Sequence, residues 1–250
     1  MDLSEYRNSE KERERIADLM ALLPGNIETA LDIGARDGFI SKLLAERFPR
    51  VTALDLEQPA IAHEKIQCVK GDATALDFPD NAFDLIFCAE VLEHVPSKLL
   101  SKACKELSRV SNRYLIIGVP YQQDIRVGRT TCRACGKKNP PWGHVNSFDE
   151  GRIQALFAAC EIVKKSFVGI AEPGTNFISS ALMDMAGNPY GTYSQDEPCV
   201  HCGAAIQRPP QRTLLEKILT KAAFYARDAQ APCLRPHPNW IHVLLEKRPA

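Results

Sequence analysis

The sequence nowhere carries about 18 apolar residues in a row, the length a spanning helix needs, so no membrane-spanning segment is expected. Its first stretch, MDLSEYRNSEKERERIADLMALLP, lacks the apolar core of a secretory leader. Charge of one sign is missing too: 31 Lys and Arg balance 31 Asp and Glu. Like charges never run together for more than a few residues, so neither a nucleic-acid tail nor an anchor for an anionic membrane is expected. No repeat or low-complexity segment is present. These absences lead to the expectation of a cytoplasmic protein without a membrane partner, and they leave the oligomeric state open.

What is present is enough apolar material for a full core, with 45% hydrophobic residues in 250, as one large domain or one domain carrying insertions. There are nine cysteines. In a reducing compartment such thiols bind metal or lie buried. Cys68, Cys88, Cys104 and Cys160 fall in apolar segments and Cys233 in a proline-rich loop, so these five read as structural. The other four form two Cys-x-x-Cys-Gly pairs, Cys132 with Cys135 and Cys199 with Cys202.

A charged N-terminal helix, assigned to residues 1–28, ends near Leu23 and shows an apolar stripe of Ile16, Leu19, Met20 and Leu23. Short apolar runs then alternate with helical segments: TALDI (29–33), RVTALDL (50–56), KIQCVK (65–70), AFDLIFCA (82–89) and RYLIIGVP (113–120). That alternation predicts an α/β fold with a mostly parallel sheet and helices on both faces. The rhythm breaks over 121–147, returns with a helix (148–160) and a strand (161–170), and breaks again over 171–239. Within the second break one helix is predicted, from about Thr213 to Arg227, before a last strand, WIHVLLEKR (240–248).

LDIGARDGFISKLL (31–44) puts a glycine-bearing turn between a strand and a helix, where backbone N–H groups can meet a ligand. A dinucleotide site would want a third glycine that GARDGF does not supply. Asp55 ends the next strand, a place for a carboxylate that takes ribose hydroxyls. GDA (71–73) closes the third strand and CAEVLEHV (88–95) the fourth. Taken together, LDIGARDG, LDL and GDATALDFPDNAFDLIFCAEVLEHV resemble the motif series of class I S-adenosylmethionine-dependent methyltransferases, the small-molecule type above all. The resemblance implies a Rossmann-like seven-stranded sheet over 29–250 whose last strand runs antiparallel. It implies S-adenosylmethionine as cofactor. By position, Asp32, Gly34 and Gly38 form the turn under its methionine part, and Asp55 is the ribose-binding acid. Leu56 flanks the adenine, Asp72 pairs with the adenine amino group with Ala73 beside it, and Cys88, Ala89 and Glu90 lie alongside the sulfonium. Where the family usually has a small residue this chain has Arg36, whose side chain must then turn outward.

Methyl transfer from a sulfonium depends mostly on alignment. A hydroxyl or amine acceptor can also need a base, for which Glu90, His94 and His144 are candidates; Glu93 and His94 can instead cap or pack. On the fold that the resemblance implies, both insertions leave the same end of the sheet from neighbouring strands, so the two cysteine pairs can meet. Cys132, Cys135, Cys199 and Cys202 are then expected to hold one structural Zn²⁺, with His201 a surface spacer or a substitute ligand. A redox couple would want a pair opening a helix, and neither does. The expectation is a methyltransferase acting on a small-molecule acceptor, a sugar or a secondary metabolite, under a zinc-stapled cap. Nucleic acid is the less favoured partner: an RNA or protein substrate docking on Arg126, Arg129, Arg133, Lys137 and Lys138 is the first alternative, and a cofactor-binding scaffold without turnover the second.

Overall fold

A computed structural model describes residues 7, 9–171, 173–230 and 234–248. The expectation for Cys233 lies outside the described residues. In chain order the elements are α1 (Glu10–Ala21), β1 (Thr29–Ile33), α2 (Phe39–Arg47), β2 (Arg50–Asp55), β3 (Ile66–Lys70), β4 (Phe83–Ala89), α3 (Ser97–Val110) and β5 (Ser111–Pro120). There follow β6 (Thr130–Thr131), β7 (Lys138–Asn139), α4 (Glu150–Leu156), β8 (Cys160–Val168), α5 (Phe177–Met185), α6 (Leu214–Asp228) and β9 (Trp240–Lys247). They divide between two compact units, a larger one of residues 3–121, 148–169 and 240–250 and a smaller one of 122–147 and 170–239.

The larger unit is built on one seven-stranded sheet in the order β3-β2-β1-β4-β5-β9-β8. Strands β1 to β5 pair in parallel, and β9 runs antiparallel to both β5 and β8. This is the topology implied by the resemblance. Helices cover both faces, so the central strands read as unbroken apolar runs rather than alternating ones. On one face Leu100, Ala103 and Leu107 of α3 and Ile153 of α4 pack with Leu31, Ile86, Leu115 and Ile117. On the other, Leu19 and Leu22 with Leu44, Ala45 and Phe48 pack on Ala30, Ala53, Leu85, Phe87 and Ile116. Truncating one such fully buried leucine to alanine costs about 2–5 kcal/mol.

α1 departs from its simple stripe. Leu19 is fully buried, but so are Glu12 and Arg15, each under a tenth exposed. Two hydrogen bonds, 2.8 and 2.6 Å, join the guanidinium of Arg15 to both oxygens of Glu12. The pair goes inside because each charge supplies the other's partner. Asp18 on the same helix holds His242 of β9 (2.6 Å) and Ser166 of β8 (2.5 Å).

Both β5 and β8 run antiparallel to β9, and their last residues, Pro120 and Val168, pair with the same residue, Trp240. Each insertion therefore leaves from one end of the sheet. Within the smaller unit β6 and β7 form a short hairpin, and α5 packs against α6. α6 starts one residue after the expected Thr213, whose hydroxyl and Glu216 form a reciprocal capping box. α5 was not expected. Its nine residues, FISSALMDM, begin where Asn176 accepts the Ser179 N–H at 2.8 Å.

Candidate functional site

Parallel register brings the C-terminal ends of four strands to one edge of the sheet. Ile33 pairs with both Leu54 and Cys88, and Asp55 with Lys70. Gly34, Asp55, Asp72 and Glu90 therefore follow consecutive strand ends, the edge at which open α/β sheets bind ligands. Gly34 and Gly38 both sit at φ +77°. A Cβ at Gly34 would meet Val91 at 2.4 Å, and one at Gly38 would meet Ile61 at 2.3 Å. Only glycine satisfies both the backbone and the packing. Arg36 also lies in the left-handed region, at φ +47°, and is exposed.

Four of the turn's N–H groups are engaged inside the protein. Those of Gly34 and Ala35 both go to the Leu54 carbonyl (2.8 and 3.1 Å), and that of Gly38 goes to the Ala35 carbonyl (2.8 Å). The Arg36 N–H donates to Asp55 Oδ2 at 2.9 Å. A pyrophosphate would need these donors. A cofactor without phosphate does not.

Asp55 is held from both sides, its Oδ1 accepting the Leu56 N–H at 2.7 Å. The carboxylate is fixed in direction while each oxygen keeps acceptor capacity. Leu56 beside it is 66% exposed, an apolar platform at a strand end. Asp72 Oδ1 accepts the Thr74 N–H at 2.8 Å, and Ala73 is partly buried against the core. Asp32 lies beneath the turn with its Oδ2 on the Ser41 hydroxyl at 2.5 Å. Burial pushes its pKa up to about 7 against the lowering effect of that bond.

Cys88 is buried in the core cluster, and burial raises its thiol well above the ordinary value. Glu90 follows Ala89 with φ +57°, its N–H on the Gly118 carbonyl at 2.9 Å. Its Oε1 is 3.9 Å from Nη1 of Arg15. Burial raises its pKa, while Arg15 and a hydrogen bond from Trp240 lower it. Glu93 is fully buried, and neither of its oxygens accepts a hydrogen bond from another described residue. Burial first, then the neighbouring Glu90, raises its pKa well above the carboxylate range. His94 is exposed. His144 belongs to the smaller unit, where it is buried and shares a 2.7 Å hydrogen bond between its Nδ1 and Gln123.

Arg15 and Trp240 escaped the sequence reading because a charged helix reads as a solvated face. A signal existed: Glu12, Arg15 and Leu19 share one face at spacings of three and four.

In the smaller unit the four cysteines of the two pairs come together. Cys132 and Cys202 have their sulfurs 3.7 Å apart, Cys135 and Cys199 3.8 Å, and all four lie within 4.8 Å of one another. Zinc–sulfur bonds of about 2.3 Å in a tetrahedron require sulfur separations of about 3.8 Å. The two turns are copies of each other. Cys132 and Cys199 each accept the N–H of the glycine four residues on, Gly136 and Gly203, at 2.8 Å. Their own N–H groups go to Lys137 and Ala204, each at 2.9 Å. Gly136 and Gly203 have φ +70° and +72°, and a Cβ on either would meet nothing within 4 Å. Backbone conformation, not space near the sulfurs, is why glycine stands there. The Cys135 N–H, with that of Ala134, brings the Cys132 thiol down to about 7 against the opposing effect of burial. Buried Asn139 ties the turns together, its Oδ1 accepting the Val200 N–H at 2.8 Å. His201 instead donates to the Lys138 carbonyl at 3.0 Å and is not among the grouped ligands.

The basic run beside the first pair is largely neutralised. Arg126 pairs with Asp124 at 2.8 Å, and Arg129 and Lys138 both pair with Asp184. Arg133 and Lys137 alone of the five lack a carboxylate partner among the described residues, too few for an electrostatic RNA surface. No described helix is long and apolar enough to cross a membrane.

Residues 31–114 match the methyltransferase domain family. An uncharacterized methyltransferase of Mycobacterium tuberculosis is 30% identical over 84 residues, 31% of this chain and 43% of that protein. A ubiquinone biosynthesis O-methyltransferase of Idiomarina loihiensis is 34% identical over 86 residues, 30% of this chain and 35% of that protein. The chain thus spans less than half the length of these curated relatives. Among solved structures, the N-methyltransferase NodS of Bradyrhizobium japonicum with S-adenosylhomocysteine aligns with a TM-score of 0.54 at 24% identity, covering 67% of this chain and 84% of that one. A 1,6-didemethyltoxoflavin-N1-methyltransferase of Burkholderia thailandensis aligns at 0.56 and 14% identity, covering 98% and 81%. These likenesses are of fold. The family match falls within the larger unit, whose Rossmann-like sheet is the fold shared with these methyltransferases.

Proposed function

We propose that the protein transfers a methyl group from S-adenosylmethionine to an oxygen or nitrogen of a small molecule, a sugar or a secondary metabolite. The observation that carries this is the pair of strand-end carboxylates, Asp55 and Asp72, oriented by backbone N–H groups beside the glycine turn. The similar ubiquinone and didemethyltoxoflavin methyltransferases, whose names give small-molecule acceptors, support the acceptor class.

In this reading Asp32, Gly34 and Gly38 shape the methionine end of the site. Asp55 takes the ribose hydroxyls, Leu56 covers one face of the adenine, and Asp72 with Ala73 meets its amino edge. Cys88 and Ala89 bring the chain to Glu90 at the reacting end. When bound, the cofactor supplies a methyl group on a sulfonium that leaves as a neutral thioether. Glu90 is the favoured base: it stands at a strand end, with Arg15 and Trp240 beside its carboxylate. His94, exposed, and His144, engaged by Gln123, are the weaker candidates.

We also take Cys132, Cys135, Cys199 and Cys202 as the ligands of one structural Zn²⁺, supported by sulfur separations of 3.7 and 3.8 Å. Four thiolates close the coordination sphere, so the ion would hold the smaller unit together and leave no open position for catalysis. That unit, built from the two insertions, is the proposed acceptor cap.

Titration calorimetry with S-adenosylhomocysteine is the first test. Binding is expected, and Asp55→Ala should weaken it about ten- to a hundred-fold, as loss of hydrogen bonds to a charged group does. No binding to the pure protein would overturn the reading, while binding without turnover on any acceptor would favour a scaffold. Metal analysis should give close to one zinc per chain.

A further inference from the structure

Helix α6 of the smaller unit has two apolar faces. One is covered: Thr220 and Ala223 are buried, and α5 packs there. The other is bare. Leu214 is 75% exposed, Leu215 65%, Ile218 57% and Tyr225 65%. At 100° per residue these four fall within about a third of the helix circumference. Lys217 and Lys221 are exposed on the flank of that face. Asp228, at the far end of the same flank, is held by Arg227. On the neighbouring α5, Phe177 and Ile178 are exposed as well.

At the N-terminal end of α6 lies a surface cavity of about 300 Å³, lined by Arg208, Arg212, Lys217 and three prolines. None of these cations has a carboxylate partner among the described residues. Arg212 is braced rather than neutralised: its guanidinium lies 5.0 Å from the Tyr190 ring, which meets Phe224 edge-on at 5.3 Å. Braced cations facing a cavity suit an anionic oxygen, and a bare apolar face on the same helix suits a lipid boundary. The two features meet on one element.

We propose that this face of α6 is a docking surface for an anionic lipid bilayer. Leu214, Leu215, Ile218 and Tyr225 enter the headgroup boundary, and Arg208, Arg212, Lys217 and Lys221 meet lipid phosphates. Fifteen residues of helix measure about 22 Å, short of the roughly 30 Å hydrocarbon core, so α6 lies in the plane of the surface and does not cross it. Charge and apolar area act together, as in other interfacial helices. A nucleic acid would use the cations and leave the leucines in water. The sequence hides the surface because its cations are interleaved with apolar residues and form no run.

The test is co-sedimentation of the whole protein with vesicles of phosphatidylcholine alone and with added phosphatidylglycerol. Sedimentation with the anionic vesicles, falling as salt rises, is expected. Ile218→Glu combined with Leu214→Glu should abolish it, and Arg212→Ala or Lys217→Ala should each lower partitioning about five-fold. Wild-type resistance of residues 170–239 to protease shows that the smaller unit of each variant is folded. No sedimentation with anionic vesicles would sink the proposal, and so would equal sedimentation with both kinds. It also fails if the glutamates only convert a dimer to a monomer, or if single-stranded RNA binds this face and vesicles do not.

Discussion

Asp32 is 2% exposed, and its pKa is pushed up to about 7 by burial. An unfolded aspartate loses its proton near pH 4. Between about pH 4 and pH 7 the folded chain therefore holds a proton that the unfolded chain has released, and stability falls as pH rises through that window. Asp32→Asn should remove the dependence: urea midpoints at pH 5 and pH 7.5 should differ less in the variant, by up to a few kcal/mol in unfolding free energy. Equal pH slopes in both proteins would rule out the raised pKa. Glu93 is a second buried acid, its pKa raised well above the carboxylate range by burial and then by the neighbouring Glu90. Glu93→Gln should shift stability by less than about 1 kcal/mol. Glu93→Met should raise it by about 1–2 kcal/mol in denaturant titrations, because two buried oxygens without a hydrogen bond from another described residue are removed.

α1 buries an ion pair whose worth depends on keeping both members. Arg15→Met alone should cost about 3–5 kcal/mol, because Glu12 would be left charged and buried. The double variant Glu12→Leu with Arg15→Met should recover most of that loss, and a double-mutant cycle in urea measures it. Elements of this kind mark the limit of what the sequence makes legible. β1, β2, β4 and β5 are readable because burial on both faces makes them continuous apolar runs. The carboxylates at their ends are readable because the end of a parallel strand is where a ligand sits. Arg15 and Trp240 are hard to read: they reach Glu90 through pairings far along the chain, and the one local sign, Glu12 and Arg15 sharing a face with Leu19, is faint on a charged helix. α5 was missed because nine residues with two serines carry too little periodicity to stand out between glycines and prolines.

The two units should respond differently to metal. Structural zinc contributes apparent free energies of about 10–16 kcal/mol in small modules. Chelation, or Cys132→Ser or Cys199→Ser, should open residues 122–147 and 170–239 to protease while the larger unit keeps its melting shift with S-adenosylhomocysteine. Loss of both together would show that the larger unit depends on the ion. The place of β9 adds a different consequence, one of timing. β5 and β8 touch β9 and not each other, and Trp240–Lys247 is translated only after the whole of the second insertion. On the ribosome, then, all four cysteines of the smaller unit have been made while β5 and β8 still present bare edges. Zinc availability during synthesis would thus govern how compact the insertion is at the moment β9 arrives to close the gap.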